Sequence, residues 1–411
     1  MPDADGTCRI RVLGAGLVGR LVVSELYQAG HQVTLVDLDP ASLEWAARLG
    51  AETILGDATA VGGGNIAPID GDSRTAAVEG YGGGSEGGAR YGKGSNGAGV
   101  GEVHRDILDV TQADIWVNLL PGRLGDLVRR PLLRRGAKVV DLAFTPEDPR
   151  HMDGLAKANG GSLLYDVGVA PGLSNLWVAN ACAMLAAADE KPLKVEIRVA
   201  GIPAQPDEGW SYMAPFSPSD VIAEYEREAR IRIDGDLCAE PALSRRHSFT
   251  DTEVGELEAF LTDGLRSLLD IDCPTLLEYT LRWPGHIDRF ITLRDDGALA
   301  GENRVATLQE LYRQWEFDPL RPEITLLSVT VESENLVWQG RLFDSGGGGW
   351  SSMARTTGLV TIAAVEAMLA GHIPPGVFAP EQVWQELLPL AEYRLAGAGV
   401  DLRRDSTIHS H

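Results

Sequence analysis

A chain of 411 residues has room for two domains, each with its own core, and 44% hydrophobic with 23% charged residues is the balance of an ordinary globular protein. A formal net charge of −23 and a pI near 4.7 repel phosphate backbones and argue against a nucleic-acid partner. No stretch approaches the ~18 uncharged apolar residues of a membrane span, the acidic first residues lack a signal peptide's apolar run, and Cys8, Cys182, Cys238 and Cys273 form no C-x-x-C pair; a cytoplasmic protein with no membrane partner, metal site or disulfide framework is expected.

Residues 10–13 read as a strand, followed by Gly14-Ala-Gly16-Leu-Val-Gly19, a helix, and a second strand ending in Asp37. That order is what a dinucleotide site needs. Gly14 permits the tight turn, Gly16 lets the backbone approach a pyrophosphate, and Gly19 lets helix and strand pack closely. The first N–H groups of the helix, at Leu17 and Val18, would hold the phosphate oxygens. Asp37, 18 positions after Gly19, can accept hydrogen bonds from both hydroxyls of the adenosine ribose and repels a 2′-phosphate. The expected cofactor is therefore NAD rather than NADP.

Asp39 then caps a helix over 41–49, and 52–57 reads as a third strand ending in Asp57. Residues 60–101 hold 15 of the 48 glycines, too much backbone entropy for a core, and are expected to be a flexible insertion. Order resumes near Ile107. Strands over 115–120, 137–142 and 162–167 alternate with helices over 124–134 and 148–158, the rhythm of a doubly wound parallel sheet. A Rossmann domain is expected over 1–170. In such a sheet the ligand lies outside the carboxyl ends of the strands. Asp57 is placed beside the adenine, Leu120 and Pro121 beside the ribose and nicotinamide, and Asp141 at a strand end near the chemistry.

The stretch from Asp166 to Asn175 has Gly and Pro ahead of Ser174 and Asn175, as where a strand passes into a helix N-terminus. That end can hold a substrate carboxylate, or Ser174 and Asn175 can simply cap the helix. Beyond Pro192 the strands lengthen and alternate, over 194–201, 275–283, 323–332 and 336–343, with helices at 217–229, 263–270 and 306–316. Period-2 alternation implies a mixed or antiparallel sheet. This α+β substrate and oligomerisation domain is expected over 171–350, and C-terminal helices over 351–411 are expected to return to the first domain. Trp210 and Tyr212 lie in a loop after a strand. Arg282 and His286 flank the sharp turn Trp283-Pro284-Gly285.

Taken together, Gly14–Gly19, Asn118-Leu-Leu-Pro121, Gly168-Val-Ala-Pro171-Gly172-Leu-Ser-Asn175, Leu257-Glu-Ala-Phe260, Thr280-Leu-Arg-Trp-Pro-Gly-His286 and Thr357-Gly358 resemble the saccharopine dehydrogenase family over almost the whole chain outside the glycine-rich stretch. The last long motifs are most similar to the branch holding lysine 6-dehydrogenase and the glutamate-forming saccharopine dehydrogenases. The resemblance implies an NAD-dependent oxidoreductase, a homodimer or larger homo-oligomer, and oxidation of a C–N bond in an amino-acid substrate. Hydride leaves the amine-bearing carbon and water hydrolyses the imine. Trp283 stands where the family commonly has Tyr.

Such chemistry needs a general base near neutrality, for which Asp141 and His286 are the candidates. An amino-acid carboxylate needs an anion site, for which Arg282 and the Ser174-Asn175 helix start are the candidates. Trp210 and Tyr212 would wall the aliphatic chain. L-Lysine oxidised at its ε-carbon with release of ammonia is the leading reading. Saccharopine is the alternative, with Arg245-Arg246 as a second cationic site, and a non-catalytic NAD-binding protein is a third reading.

Overall fold

The computed structural model describes residues 6–59, 107–108 and 113–408; the glycine-rich stretch 60–101 and the two last histidines, His409 and His411, lie outside them. The chain opens with β1 (Arg9–Leu13), α1 (Leu17–Gln28), β2 (Gln32–Asp37), α2 (Pro40–Leu49) and β3 (Glu52–Leu55). Local chemistry sets these boundaries. Asp39 accepts hydrogen bonds from the Ala41 and Ser42 N–H groups, Pro40 begins α2, and Gly50 ends it at φ 106°. Then come β4 (Ile115–Asn118), α3 (Gly125–Arg134), β5 (Lys138–Asp141), α4 (Asp153–Asn159) and β6 (Ser162–Tyr165). Every residue of β4 and β6 is buried, as expected of parallel strands covered on both faces. The six strands pair in parallel in the order β6-β5-β4-β1-β2-β3, and a late segment of the chain, Gly376–Phe378, adds a seventh parallel strand outside β6. This is the expected Rossmann sheet with one extra edge.

Helix α5 (Leu173–Ala187) leads into the second domain. There β7 (Lys194–Pro203), α6 (Pro218–Glu226), β8 (Ala229–Ile233), β9 (Asp236–Glu240), β10 (His247–Asp251), β11 (Gly255–Leu261), β12 (Thr275–Arg282), α7 (His286–Asp295), α8 (Asn303–Gln314), β13 (Glu323–Glu332) and β14 (Leu336–Asp344) follow in turn. The chain closes with α9 (Ser352–Leu369), β15 (Gly376–Phe378), α10 (Trp384–Gly397) and β16 (Asp401–Ile408). The second sheet runs β10-β11-β12-β7-β13-β14-β16. Only its β12–β7 pair is parallel among these neighbours, so it is mixed.

One buried cluster extends from Val22 and Leu26 of α1 through Val360 of α9, Leu387 of α10 and Trp177 of α5 to Val329 of β13. A second, with Val128 and Leu132 of α3, covers the other face of the Rossmann sheet. Helix α9 lies so close to α1 that a Cβ at Gly358 would stand 2.7 Å from Leu21 Cδ2. Among the described residues no helix is long and apolar enough to cross a membrane.

Three expectations need correction. The helix expected to run to 229 ends at Glu226, and Ala229–Ile233 is a strand whose Ala229 and Ile231 are buried. The helix expected over 263–270 is a short 3-10 turn, Arg266–Asp270. The helices expected over 351–411 are present as α9 and α10, but Asp401–Ile408 is a strand on β14, an edge whose charged, exposed residues hide its strand character.

Candidate functional site

At the glycine loop the three glycines have three different reasons. Gly14 takes φ 93°, a left-handed conformation, and a Cβ there would press on Leu119 O at 3.1 Å and Leu120 Cδ2 at 3.4 Å, where the end of β4 passes over the loop. A Cβ at Gly19 would come within 2.3 Å of Gly14 O. A Cβ at Gly16 would meet nothing within 4 Å, so the loop leaves open space at the position where a pyrophosphate approaches. The N–H groups of Leu17 and Val18 open α1 there and have no partner within the helix. Asp37 ends β2 with its carboxylate on the loop, accepting from Ala15 N at 2.7 Å and Asp39 N at 2.8 Å. Asp57 stands just past β3, where it accepts from Thr59 N and Oγ1 at 2.9 and 2.6 Å. Leu120 and Pro121 are half-buried beside the loop. These residues fit a dinucleotide.

The two candidate bases do not keep that role. Asp141 is fully buried, and its oxygens accept from Arg129 Nη2 (2.7 Å), Arg129 Nε (2.9 Å), Asn118 Nδ2 (2.7 Å) and Ala143 N (2.7 Å). A carboxylate that accepts four hydrogen bonds, two of them from one guanidinium, has no lone pair left for substrate. His286 begins α7 and is also buried. Its Nδ1–H donates to Trp210 O at 3.0 Å, and its Nε2 accepts from Tyr225 Oη at 3.0 Å, which in turn accepts from Arg282 Nε at 2.8 Å. Since the carbonyl only accepts and the guanidinium only donates, the direction of this chain of hydrogen bonds is fixed. Burial, then the Arg282 charge, pulls the imidazole down to about 3, so it stays neutral and engaged at both nitrogens.

Of the two readings of Ser174 and Asn175, the structure shows the cap. Both are fully buried; Asn175 Oδ1 accepts from Gly172 N at 3.1 Å and from Ser174 Oγ at 3.2 Å, while Asn175 Nδ2 donates to Glu381 Oε2 at 2.9 Å. Asn175 closes the start of α5 and ties it to the turn before α10, and Ser174 supports the Asn175 amide. Trp283 is structural as well, its indole N–H donating to Pro203 O at 2.9 Å.

What remains is one face of β12. Successive strand residues alternate sides, so Glu278, Thr280 and Arg282 share a face. Arg282 is buried without a carboxylate partner; its guanidinium lies 4.7 Å from the Tyr212 ring centre and donates to Tyr225 and to Leu281 O. Tyr212 Oη is buried with no hydrogen-bond partner. Burial raises this phenol to about 12. Trp210 packs edge-on against His286 and Trp315, closing the aromatic wall. In the middle, Thr280 Oγ1 donates to Glu224 Oε1 of α6 at 2.6 Å. At the other end stands Glu278, 3% exposed, with Oε2 unpartnered.

The elements that flank this face, α6 and the loop leading into the 3-10 turn at Arg266, touch the carboxyl ends of the Rossmann strands. Gly122, just after β4, donates from its N–H to Asp220 Oδ2 of α6 at 3.4 Å. Phe144, after β5, lies under two guanidinium groups, Arg227 at 4.8 Å and Arg266 at 4.3 Å. Asp166, after β6, pairs with Arg266 Nε at 2.9 Å, and Asp263 holds Arg230 and Arg227 at 2.9 and 3.0 Å. The cleft between the domains is thus rich in carboxylates, and sequence reasoning missed Glu278, Glu224 and Tyr225. The available signal was a carboxylate at an inward register position of a strand otherwise made of apolar and β-forming residues.

Residues 168–393 match the model of the saccharopine dehydrogenase C-terminal domain, and residues 10–62 that of the TrkA-N domain. No curated protein sequence matches the chain. Among solved structures, the glutamate-forming saccharopine dehydrogenase of Saccharomyces cerevisiae superposes with a TM-score of 0.72 at 16% identity, covering 97% of this chain and 100% of that one. GenD2 from gentamicin A biosynthesis, solved with NAD, covers 98% of this chain and 97% of its own at 13% identity and a TM-score of 0.41. The first of these similarities establishes the fold that the two sheets describe, and with the family model spanning more than half of the residues, the chain belongs to the saccharopine dehydrogenase family.

Proposed function

We propose that this protein is an NAD-dependent dehydrogenase that oxidises a C–N bond of an amino-acid substrate, L-lysine at its ε-carbon first among the candidates. The observation that carries the reading is the pairing of an open glycine loop, with Asp37 on it, and a buried face bearing carboxylates at one end and Arg282 at the other. Asp37 favours NAD, since a 2′-phosphate beside it would meet a carboxylate; Arg20, the nearest cation in α1, is already engaged with Ser42 Oγ at 3.3 Å and the Trp45 ring. When bound, the nicotinamide accepts the hydride. The protein supplies placement and charge. Arg282 and the Tyr212 hydroxyl offer donors for the substrate carboxylate. The Tyr225–His286–Trp210 relay holds Arg282 in place. Trp210 and Tyr212 wall the aliphatic stem.

Saccharopine is the second reading, favoured by the full-length similarity to the yeast enzyme. It needs a second cationic site, yet Arg245 is paired with Glu240 and Arg246 with Glu258 and Asp288. That spent charge puts lysine first. Purified protein is tested with L-lysine and with saccharopine, each with NAD and NADP. NADH formation with ammonia release from lysine is the expected result. Glutamate release from saccharopine would replace the first reading by the second, and no reduced nicotinamide with either would overturn both.

A further inference from the structure

Among the described carboxylates near this face, Glu278 has an oxygen, Oε2, that is buried without a hydrogen-bond partner. Asp166 and Asp263 are spent on arginines, and Glu224 holds Thr280. Glu278 instead lies flat against the backbone at Gly264, where an added Cβ would stand 1.6 Å from Oε1. Only glycine at 264 leaves the carboxyl its place. Its Oε2 is buried and unpartnered, and leaving such an atom unpaired is costly. A buried group of this kind calls for an explanation, and a ligand that completes it is one.

The charges around it point to the sign of that ligand. Glu224 comes from α6, Asp263 from the loop before the 3-10 turn, and Asp166 from the end of β6; the arginines nearest to them, Arg227, Arg230 and Arg266, are directed at Asp263 and Asp166. Burial, then the three negative charges, pushes the Glu278 carboxyl well above the usual carboxylate range and favours its neutral form. A cation arriving beside it reverses that bias. Along β12, Glu278 and Arg282 are four residues apart, about 13 Å between backbones at ~3.3 Å per residue. Their side chains lie on one face of the strand, a spacing that suits a substrate with a cationic amine at one end and a carboxylate at the other.

We infer that Glu278 is the catalytic residue that meets the substrate's ammonium group and takes its proton. The assignment rests on the reading of the protein as an amine dehydrogenase and specifies its substrate as an ω-ammonium carboxylate. On binding, the ammonium displaces the resting proton of Glu278 to solvent and pairs with the carboxylate. One N–H proton then passes to Glu278. The nitrogen lone pair forms the C=N bond as the adjacent C–H leaves as hydride, with its electron pair, to the oxidised nicotinamide. The carbon is oxidised by two electrons and the nicotinamide reduced by two. Water adds to the resulting iminium carbon, and the amine nitrogen departs.

Two measurements test this. Titration calorimetry of L-lysine into the protein with NADH, in buffers of different ionisation enthalpy, counts protons; release of close to one proton by the wild type and none by Glu278→Gln is expected. The same substitution should lower kcat/KM by about 10²–10⁴-fold, while Glu278→Asp keeps part of the rate and the proton release. Wild-type turnover of lysine without proton release, or a Glu278→Gln enzyme with undiminished kcat/KM and an unchanged pH profile, would overturn the role of Glu278 and leave the dehydrogenase reading standing. Proton release on lysine binding without any turnover would sink the dehydrogenase reading while Glu278 remains the ammonium site. The wild-type proton count needs no variant, so a misfolded substitution does not block the test.

Discussion

Two buried carboxylates, one in each domain, behave in opposite ways. Asp141 at the end of β5 is ringed by Arg129, Asn118 and the Ala143 N–H, all within 2.9 Å. Glu278 in the middle of β12 touches a glycine and faces other carboxylates. The first is a fastener between α3 and β5; the second is a group left incomplete. Burial alone does not make a buried acid functional. What separates the two is whether the fold itself has supplied the partner.

The largest expected effect breaks the fastener. Asp141→Asn removes the buried charge partner of Arg129, leaving it the partly exposed Asp126 at 3.2 Å, and should cost about 3 kcal/mol, read as a large fall in the denaturation midpoint. Adding Arg129→Met to Asp141→Asn should recover part of that loss, and additive losses would mean the pair is not coupled.

Next in size is a pH effect that sets His286 against Glu278. The unfolded imidazole takes a proton below about 6.5 but the folded one only near 3. Between those values the unfolded state binds more protons, so stability falls as the pH drops, by up to about 1.4 kcal/mol per pH unit. Glu278 acts the other way: its folded carboxyl stays protonated above the usual 4.5, so its contribution is lost as the pH rises. Thermal melts from pH 4 to 8 should therefore flatten on the acid side in His286→Asn and on the neutral side in Glu278→Gln. Identical slopes in wild type and variants would contradict both assignments.

At the glycine loop, Gly19→Ala should destabilise the fold because its methyl collides with the Gly14 carbonyl. Gly16→Ala has room and should leave the melt unchanged while weakening NADH binding about tenfold, or ~1.4 kcal/mol. Equal melting losses in both would remove the distinction. Smallest of all, Tyr212→Phe deletes a hydroxyl with no partner in the fold. Stability should hold or rise slightly while KM for the amino acid rises about fivefold, or ~1 kcal/mol; an unchanged KM would place Tyr212 outside the substrate site.

How much of this was legible depended on distance along the chain. The glycine loop, the Asp39 cap and the parallel sheet are local chemistry written in adjacent residues, and they stand in the structure as read. Asp141 and His286 were misread because their partners, Arg129 and Tyr225, lie 12 and 61 positions away. A strand end and a turn mark where a side chain sits, not what already holds it. Ser174 and Asn175 were half legible: capping residues were recognised, and the fold uses them for capping. Glu278 was illegible for the converse reason, since its distinguishing property is an absence of partners that only the folded surroundings define. The strand β16 was missed because an edge of alternating charges carries no apolar rhythm.

The seventh strand of the first sheet bears on how the protein is made. Gly376–Phe378 pairs with β6 across more than 200 positions of intervening chain, with Gly376 N bonded to Gly161 O at 3.0 Å and Ser162 Oγ to Pro374 O at 2.9 Å. A ribosome must therefore release nearly all of the polypeptide before the amino-terminal half is finished. A fragment cut near residue 170 would present the naked flank of β6 to other molecules and is expected to clump rather than bind coenzyme.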